Sequence, residues 1–332
     1  MRKVLLIVAA AIMADMGLNV QQVDAQKVFK LNRRIDSLLT AKYKRADIDT
    51  NYITRPQTKW TLMGRLNMSG SRIKAEGIEN GQNFETEFKA DNKTTLSVGV
   101  SYIGLSLSFA LNPAKLLGKY HDYELNFRSY GKRIGFDISY QDARNFKGWY
   151  EKESLRQEIT TSEDMFKLRT LNVNAYYVFN HRRFSYPAAM AHSYIQRRSA
   201  GSFLLAVSGQ GQHGKANSDT QTMDFKMTNI GIGAGYGYNY VPEHGWLLHL
   251  STLPTLIVYS NTSLNTGDTK IPLHYHFPEL IITTRAAVVK QIGSNKFAGL
   301  SAVYNYSRIG HEDNLAIRNQ KWLARLYFGF RL

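Results

Sequence analysis

Two pairs of side chains have the types and spacing that acyl-transfer chemistry requires. His249 lies two residues before Ser251, and His192 adjoins Ser193. A serine hydrolase needs a serine nucleophile, a histidine base and an Asp or Asn that orients the base. Neither pair belongs to a recognisable catalytic motif, so an enzyme that acts on envelope lipid is an alternative interpretation and not the main one.

Histidine and acidic side chains elsewhere could bind metal ions. His274 and His276 would project from the same side of an extended segment, which provides half of a metal site. The acidic 143–165 segment could attract calcium. Such histidine and acidic side chains more often simply lie in solvent-exposed loops. The chain also has no cysteine for thiolate ligands or disulfides. The sequence therefore predicts neither a metal nor a cofactor.

Charged side chains recur on one face of the predicted strands, opposite the apolar face. If Gly131 and Lys132 form a two-residue turn, Asn126 faces Asp137 and Arg128 lies one diagonal step away. Two interpretations stay open. In the first, the charges pair with one another and fill the interior. In the second, they line a positively biased passage for anionic solutes. The predicted lumen-facing residues are Arg65, Glu124, Arg128, Arg133, Asp137, Arg285, Arg325 and Arg331.

Glycines at every second position interrupt one strand. A dinucleotide-binding loop needs its glycines at the turn between a strand and a helix. These glycines lie inside a strand instead, so we interpret them as small lumen-facing residues that make room in a crowded interior. They are Gly231, Gly233, Gly235 and Gly237.

All of these assignments depend on a two-residue apolar period, which indicates extended strands. From Ile230 to Tyr240, apolar residues alternate with glycine and asparagine, and Trp322 to Leu332 alternates likewise. The period predicts twelve antiparallel strands in an all-β transmembrane barrel. They lie near 58–74, 84–101, 103–111, 121–131, 133–142, 166–180, 200–213, 227–241, 245–261, 278–292, 296–310 and 318–332.

The connections alternate in length, as a membrane barrel requires. Short turns are predicted at Tyr102-Ile103, Gly131-Lys132, Pro242 to His244 and Gly293 to Asn295, and short turns belong on the periplasmic side. One long connection, 181–199, falls among them. The longer outer loops are predicted at 75–83, 112–120, 143–165, 214–226, 262–277 and 311–317.

The N-terminus has the pattern of a secretory signal. Arg2 and Lys3 precede an apolar run that stops at Asp15, which is too short to span a bilayer. We predict a signal peptide at 1–25, a periplasmic segment at 26–57 with a short amphipathic helix over Val28 to Lys44, and the barrel at 58–332.

Net charge and aromatic content indicate the surroundings. The chain carries +16, which favours lipopolysaccharide, anionic lipid or a small anionic solute as partners. No basic run with interleaved aromatics favours nucleic acid.

The aromatic final strand resembles the signal that the barrel-assembly machinery recognises. A secreted β-sandwich or soluble lipocalin-like barrel would also alternate, but 20 Tyr and 16 Phe in bands near strand ends favour an outer membrane.

Three segments carry a family resemblance: Asp49 to Ile53 with Arg55-Pro56 and Trp60, Phe184 to Ala189, and Gln196 to Phe203. In these the chain resembles the domain of unknown function 4421 of Bacteroidota, over nearly the whole mature length. The resemblance implies outer-membrane localisation and assigns no catalytic residue. It draws attention to the 181–199 connection, either a cap packed on the barrel base with 49–56 or a plug. Its candidate residues are Arg182, Arg183, Tyr186, Tyr194, Arg197 and Arg198.

The sequence alone thus predicts an outer-membrane barrel that is structural or transport-type, with a basic lumen. A barrel enzyme acting on lipid is the first alternative. A surface adhesion or binding module that works through 143–165 is the second.

Overall fold

The computed structural model describes residues 37, 41, 47–79, 81–90, 92–102, 105–111, 123–144, 146–152, 155–160, 166–217, 222–266, 269–273, 278–311 and 315–332. The chain divides into two compact units, Met1–Asp47 and Ile48–Leu332. Within the predicted helix over Val28 to Lys44, the described residues Ser37 and Ala41 are helical. The rest of that helix and the predicted signal peptide lie outside the described residues.

The second unit is an antiparallel all-β structure with one short described helix, α1 (Tyr186–Met190). Its strands are β1 (Ile53–Thr54), β2 (Trp60–Glu79), β3 (Gln82–Ala90), β4 (Lys93–Tyr102), β5 (Leu105–Leu111), β6 (Tyr123–Tyr130), β7 (Ile134–Ala143), β8 (Phe146–Lys152), β9 (Leu155–Thr160), β10 (Phe166–Val178), β11 (Ile195–Gln196), β12 (Ala200–Asn217), β13 (Thr222–Tyr240), β14 (Trp246–Thr266), β15 (Thr269–Leu273), β16 (Leu280–Ile292), β17 (Lys296–His311) and β18 (Leu315–Arg331).

Among the described strands, those that pair one after another along the chain form a series that we call the wall. Their order is β2, β4, β5, β6, β7, β10, β12, β13, β14, β16, β17 and β18. In addition, β18 pairs with β2, from Leu315 opposite Gly77 to Arg331 opposite Thr61. Each strand of this series therefore has a hydrogen-bonded neighbour on both sides. The series overlaps the predicted strands, except that the predicted 84–101 strand is divided into β3 and β4.

We call the end of this sheet that holds Trp60, Arg331 and the short turns the base, and the opposite end the rim. At the base, β16 and β17 are joined by residues 293–295, and Gly293 has the positive φ that a tight turn needs. The β6–β7 turn differs from its prediction. Tyr130 pairs with Gly135, so four residues form the turn, and Arg128 instead of Asn126 lies opposite Asp137. A two-residue turn would need a positive φ at Gly131, which that residue does not have.

At the rim, several predicted loops are strands. β2 and β3 continue through most of 75–83, β8 and β9 occupy much of 143–165, β12 and β13 extend into 214–226, and β14 and β15 into 262–277. The residues 112–120 lie outside the described residues. The prediction was wrong because these strands carry many charged residues and lack a continuous apolar outward face, although side chains such as Phe146 pack inside. Their cross-strand contacts include ion pairs such as Lys74–Glu85 at 2.8 Å and Arg72–Glu87 at 2.9 Å.

The apolar residues of the alternation point outward. On β14, Leu248, Leu250, Leu256 and Val258 are exposed, while the intervening Ser251 and Ile257 are buried. From residue 248 to 258 the outward set spans ten residue steps. At about 3.3 Å per step and a tilt of about 40°, it covers about 25 Å, the height of the apolar band of membrane barrels. The interior, and not the outward face, holds the polar alternates.

Packed clusters occupy the interior at several levels. The largest lies at the base and includes Tyr130, Tyr176, Phe184, Tyr186 and Leu204. Two smaller clusters lie toward the rim. One contains Ala90, Ala143, Phe146 and Leu168, and the other Met227, Ile257 and Ile309.

Candidate functional site

The connection between β10 and β12, residues 181–199, folds into a defined structure that we call the inner connection. Ser185 caps α1: its side chain accepts a hydrogen bond from the Ala188 N–H at 3.2 Å, and Pro187 lies in the first turn. Both residue types are favoured at these helix positions. After the helix, β11 pairs with β1, with Ile53 opposite Gln196. The 49–56 segment and the inner connection therefore fold together.

Gln196 fastens the two ends of the inner connection. Its side-chain oxygen accepts a hydrogen bond from Ser185 N–H at 2.9 Å, and its amide nitrogen donates to the carbonyl oxygens of Arg183 at 2.6 Å and Arg198 at 2.9 Å. Gln196 is buried. Because buried polar groups must be paired, these bonds fix the path of the segment.

The inner connection contacts opposite parts of the wall. The Tyr186 ring lies 4.7 Å from the ring of Tyr176 on β10 and 5.1 Å from the ring of His249 on β14. Further along, the His192 ring lies 4.4 Å from Phe297 on β17 and 4.6 Å from Tyr327 on β18. The segment therefore crosses the interior at the base.

His192 is held neutral at this crossing. Burial lowers its pKa well below the usual value, and the positive charges of Arg331 and Arg65 lower it further. Arg331 is itself only 2% exposed. Its Nε donates to the His192 carbonyl oxygen at 3.2 Å, and its Nη1 donates to Gln291 Oε1 at 2.8 Å. Arg331 thus links the last wall strand to the inner connection.

The six predicted residues of the inner connection divide by burial. Tyr186 and Tyr194 are buried, whereas the four arginines are exposed. Arg183 Nε lies 3.4 Å from Asp49 Oδ2, and its guanidinium lies over the Tyr52 ring. The exposed arginines are Arg182, Arg183, Arg197 and Arg198. They form a basic outer surface of the inner connection, while the tyrosines face the interior.

An ion pair crosses the interior above the inner connection. Arg285 Nη2 donates to Asp137 Oδ2 at 3.1 Å, and Tyr130 Oη donates to Asp137 Oδ1 at 2.6 Å. Four strands, β10, β12, β13 and β14, separate β7 from β16. Asp137 and Arg285 are both buried. The pair therefore bridges two separate parts of the wall and supports the view that interior charges are paired.

The other predicted lumen-facing charges have different positions. Arg325 and Arg331 are buried, and Arg65 is half-buried with its Nη2 3.6 Å from Met63 Sδ. Arg133 is exposed and its Nε donates to His181 Nε2 at 2.9 Å, because the longer β6–β7 turn removes it from a strand face. For Glu124 and Arg128 the strand positions are described, but their side chains lie outside the described set.

A polar cavity of about 120 Å³ lies between the clusters. Tyr130 of the base cluster lines it, as do Leu168 and Ile281 of the rim clusters. Most of the other lining side chains are amides and hydroxyls, with Asp137, Arg285 and Lys321 as the charged residues. The amide and hydroxyl lining includes Gln141, Thr170, Asn172, Asn174, Ser208, Gln210, Gln212, Thr283, Asn305 and Asn319.

The glycines of β13 lie on the interior face, as their alternation predicts. A Cβ at Gly237 would lie 3.1 Å from Phe184 Cζ and 3.2 Å from Ser251 Cβ. This glycine therefore makes room for the inner connection. At Gly233 and Gly235 a Cβ would instead meet backbone oxygens of β14 at 2.2 and 2.0 Å, so these two glycines allow the strands to approach.

Two segments of the sequence hold candidate metal ligands. Among the described residues, no group of three or more His, Asp or Glu side chains is placed to hold a metal ion. His274, His276 and part of the acidic 143–165 segment lie outside that set.

In the described part of the chain, no α-helix combines the length and hydrophobicity needed to cross a bilayer.

The fold and site define a class of all-β protein with an apolar outward face and a polar interior crossed by a folded connection. The chain belongs to the family DUF4421, a domain of unknown function, whose model matches residues 47–332. This confirms the family resemblance. No curated protein matches the sequence.

Solved structures give distant similarities. The outer membrane protease OmpT from Escherichia coli matches with 8% identity and a TM-score of 0.45, over 83% of this chain and 97% of that one. The outer membrane protein OprG from Pseudomonas aeruginosa matches with 8% identity and a TM-score of 0.29, over 83% and 96%. The transport unit of the autotransporter AIDA-I from Escherichia coli gives 13% and 0.33, over 87% and 96%.

Proposed function

We propose that the wall strands form a closed twelve-stranded barrel in the outer membrane of a Gram-negative bacterium, and that the barrel is a gated, transport-type protein. The outward apolar band of about 25 Å supports a membrane location. So does the exposure of large apolar side chains on strand after strand, because soluble proteins rarely expose so extensive an apolar surface.

In this proposal the base faces the periplasm and the rim faces outward. The short turns and both ends of the wall lie at the base, which is the periplasmic arrangement of such barrels. At the rim, basic side chains such as Arg72, Lys89 and Lys226 are between 45% and 59% exposed. They are suited to the phosphates of lipopolysaccharide. The barrel-assembly machinery is the partner expected during insertion.

One observation carries the gating proposal: the inner connection reaches from β10 to β17 and β18 across the interior. Its buried residues Phe184, Tyr186 and His192 pack between these strands at the base. We infer that a solute would pass only if this segment moved. The cavity above it has two basic lining residues, Arg285 and Lys321, and one acidic one, Asp137. A small polar solute, with anions favoured, is therefore the proposed cargo class.

Bilayer recordings test this function. The purified full chain and a variant in which a Gly/Ser linker replaces 184–196 are refolded, and folding is checked by heat-modifiable migration on a gel. We expect the variant to fold and to conduct, with preference for anions, and the unaltered protein to conduct far less. Arg182→Ala is a matched control in an exposed side chain of the same connection, and it should behave as the unaltered protein.

Two outcomes oppose the proposal. A folded variant with no more conductance than the unaltered protein would show that the inner connection does not gate a passage. A variant that fails to fold would favour a purely structural cap. In that case Phe184→Ala, which removes part of the same core, decides: a folded protein with unchanged conductance would reject the gate.

A further inference from the structure

Three side chains on β13 and β14 have the connectivity of a serine hydrolase triad. His249 Nε2 lies 3.0 Å from Ser251 Oγ, and His249 Nδ1 lies 2.7 Å from Asn239 Oδ1. Asn239 is directly opposite His249 in the strand pairing. All three residues are buried, with at most 4% exposure. A nucleophile, a base and an orienting residue therefore stand in hydrogen-bonded order.

The inner connection fixes the direction of this chain of hydrogen bonds. The Asn239 Nδ2 donates to the Ser185 carbonyl oxygen at 2.9 Å and to Gln196 Oε1 at 3.1 Å. Asn239 Oδ1 is thereby turned toward the histidine, where it can only accept a hydrogen bond. The proton of neutral His249 then belongs on Nδ1, which leaves Nε2 free to accept the Ser251 proton.

A fourth group stands beside the serine. Arg285 on β16 is directly opposite Ser251. Its Nη2 is bound to Asp137 and its guanidinium also interacts with the Tyr186 hydroxyl, while its Nη1 is buried and makes no hydrogen bond of normal length among the described residues. Arg285 also lines the polar cavity. A buried donor without such a bond beside a nucleophile is suited to a negative charge that develops during reaction.

We propose that Ser251, His249 and Asn239 form a latent hydrolytic centre for small polar carboxylic esters, with Arg285 as the oxyanion donor and Tyr186 as its closure. Tyr186 Oη lies 3.2 Å from Ser251 Oγ. Its ring therefore occupies the side of the serine from which an ester would approach. The cavity lining includes Arg285, which is opposite Ser251, but not Ser251 itself. Movement of the inner connection would remove Tyr186 and join the space at Ser251 to the cavity.

The reaction balances with an ester and water as the reactants. Ser251 Oγ bonds to the ester carbonyl carbon while its proton passes to His249 Nε2, and the carbonyl electron pair moves to the oxygen facing Arg285. That pair then re-forms the carbonyl, the alcohol leaves with the proton from His249, and an acyl-serine results. Water reverses these steps: its proton goes to His249, its oxygen to the acyl carbon, and the carboxylic acid leaves as Ser251 regains a proton.

The cavity restricts the substrate. Its volume of about 120 Å³ and its amide and hydroxyl lining suit a short acyl group with polar substituents. A long hydrocarbon chain would leave these polar groups unpaired. The proposal thus predicts activity on short esters and not on intact long-chain lipid.

A fluorophosphonate probe and p-nitrophenyl acetate test the centre in refolded full-length protein. Tyr186→Ala should expose Ser251, so we expect labelling at Ser251 and ester hydrolysis to rise in this variant. Adding Ser251→Ala should abolish labelling, and adding His249→Ala should reduce it by roughly 10³-fold or more. Ser301→Ala is the matched control, since Ser301 is another buried serine on the same interior face. It should leave labelling unchanged.

Asn239 acts as a positioning residue, so its test measures the pH profile of labelling as well as the labelling rate that is measured for Ser251 and His249. Asn239→Ala in the opened protein should slow labelling and change the pH profile, because the histidine loses its orientation. A purely structural role would lower the folded fraction and leave the pH profile of the folded protein unchanged.

The outcomes are decisive either way. Labelling that persists after Ser251→Ala overturns the proposal, as does absence of labelling in folded Tyr186→Ala. If Tyr186→Ala does not fold, Phe184→Ala opens the same side, and its failure to label in the folded state also overturns the proposal. These results do not depend on conductance, so the gate and the hydrolytic centre can fail separately.

Discussion

The base and the rim of the sheet are stabilised by different interactions, buried packing at the base and solvent-exposed ion pairs at the rim. At the base, aromatic side chains and polar groups are buried together, and Arg285 and Asp137 have little contact with solvent. At the rim, strands continue beyond the apolar band, and exposed basic side chains such as Arg72 and Lys89 pair with Glu87. Charge pairs are costly to break where water is absent and contribute little where it is present.

This difference separates fixed from adaptable parts of the molecule. The base has bonds that specify one arrangement, including those of Gln196 and Asn239. The rim has ion pairs that solvent and salt can replace. We expect the base to determine gating and chemistry, and the rim to determine what the surface contacts.

The largest effect should follow from breaking the interior ion pair. Asp137→Ala leaves Arg285 buried without its carboxylate, and we expect a loss of about 3–5 kcal/mol in the free energy of unfolding. Urea titration of the vesicle-embedded protein, followed by tryptophan fluorescence, measures it. The double variant Asp137→Ala with Arg285→Met should recover part of the loss. A loss below about 1 kcal/mol in the single variant would mean that water reaches the pair.

A smaller effect is expected from crowding the base. Gly237→Ala places a Cβ 3.1 Å from Phe184 Cζ, and we expect a loss of about 1–3 kcal/mol in the same titration. Gly209→Ala is the matched control, because a Cβ there meets no atom within 4 Å. Equal losses in the two variants would contradict tight packing between β13 and the inner connection.

Acidification should loosen the base by up to about 2 kcal/mol. Burial, followed by the charges of Arg331 and Arg65, lowers the His192 pKa. Its stabilising contribution is therefore present above the unfolded pKa of about 6.5 and is lost as the pH falls, at about 1.4 kcal/mol per unit. Urea midpoints at pH 7.5 and 5 measure this, and His192→Gln should flatten the dependence. An equal pH dependence in His192→Gln would assign the effect to other groups.

The smallest effect is expected at the rim. Burial of Glu87 raises its pKa, but hydrogen bonds from Lys89 and Arg72 outweigh this and lower it overall. The contribution of Glu87 is thus present above about pH 4.3 and lost as the pH falls. Because both cations are exposed, Glu87→Gln should cost about 1 kcal/mol or less, and less still in high salt. A loss as large as that of Asp137→Ala would remove the distinction between rim and base.

The sequence predicts the wall well because its outward face is apolar and its inward face is polar or small. The resulting two-residue alternation identifies the strands, as from Ile230 to Tyr240. At the rim β8 and β9 are short and mix charged with apolar residues, so they leave no such continuous pattern and resemble a loop. Backbone pairing continues there without the signal that would reveal it.

The site was predicted only in part because register depends on turn geometry. His249 and Ser251 stand out as a pair on one strand, but Asn239 lies on the neighbouring strand. A minimal turn at Pro242 to His244 would place Gly237 opposite His249. In the structure His244 and Gly245 both have positive φ, and the longer turn moves Asn239 into that position. The β6–β7 hairpin shows the same displacement of two residues.

The place of the inner connection in the chain has a consequence for the order of folding. It lies midway between β2 and β18, whose pairing joins residues such as Thr61 and Arg331. Closing so long a stretch of chain carries a large entropic cost, so this seam should form last. If the pairing of β2 with β18 forms last, the other strands assemble around residues 181–199 before it does. The inner connection would then act as an internal template for the curvature of the sheet.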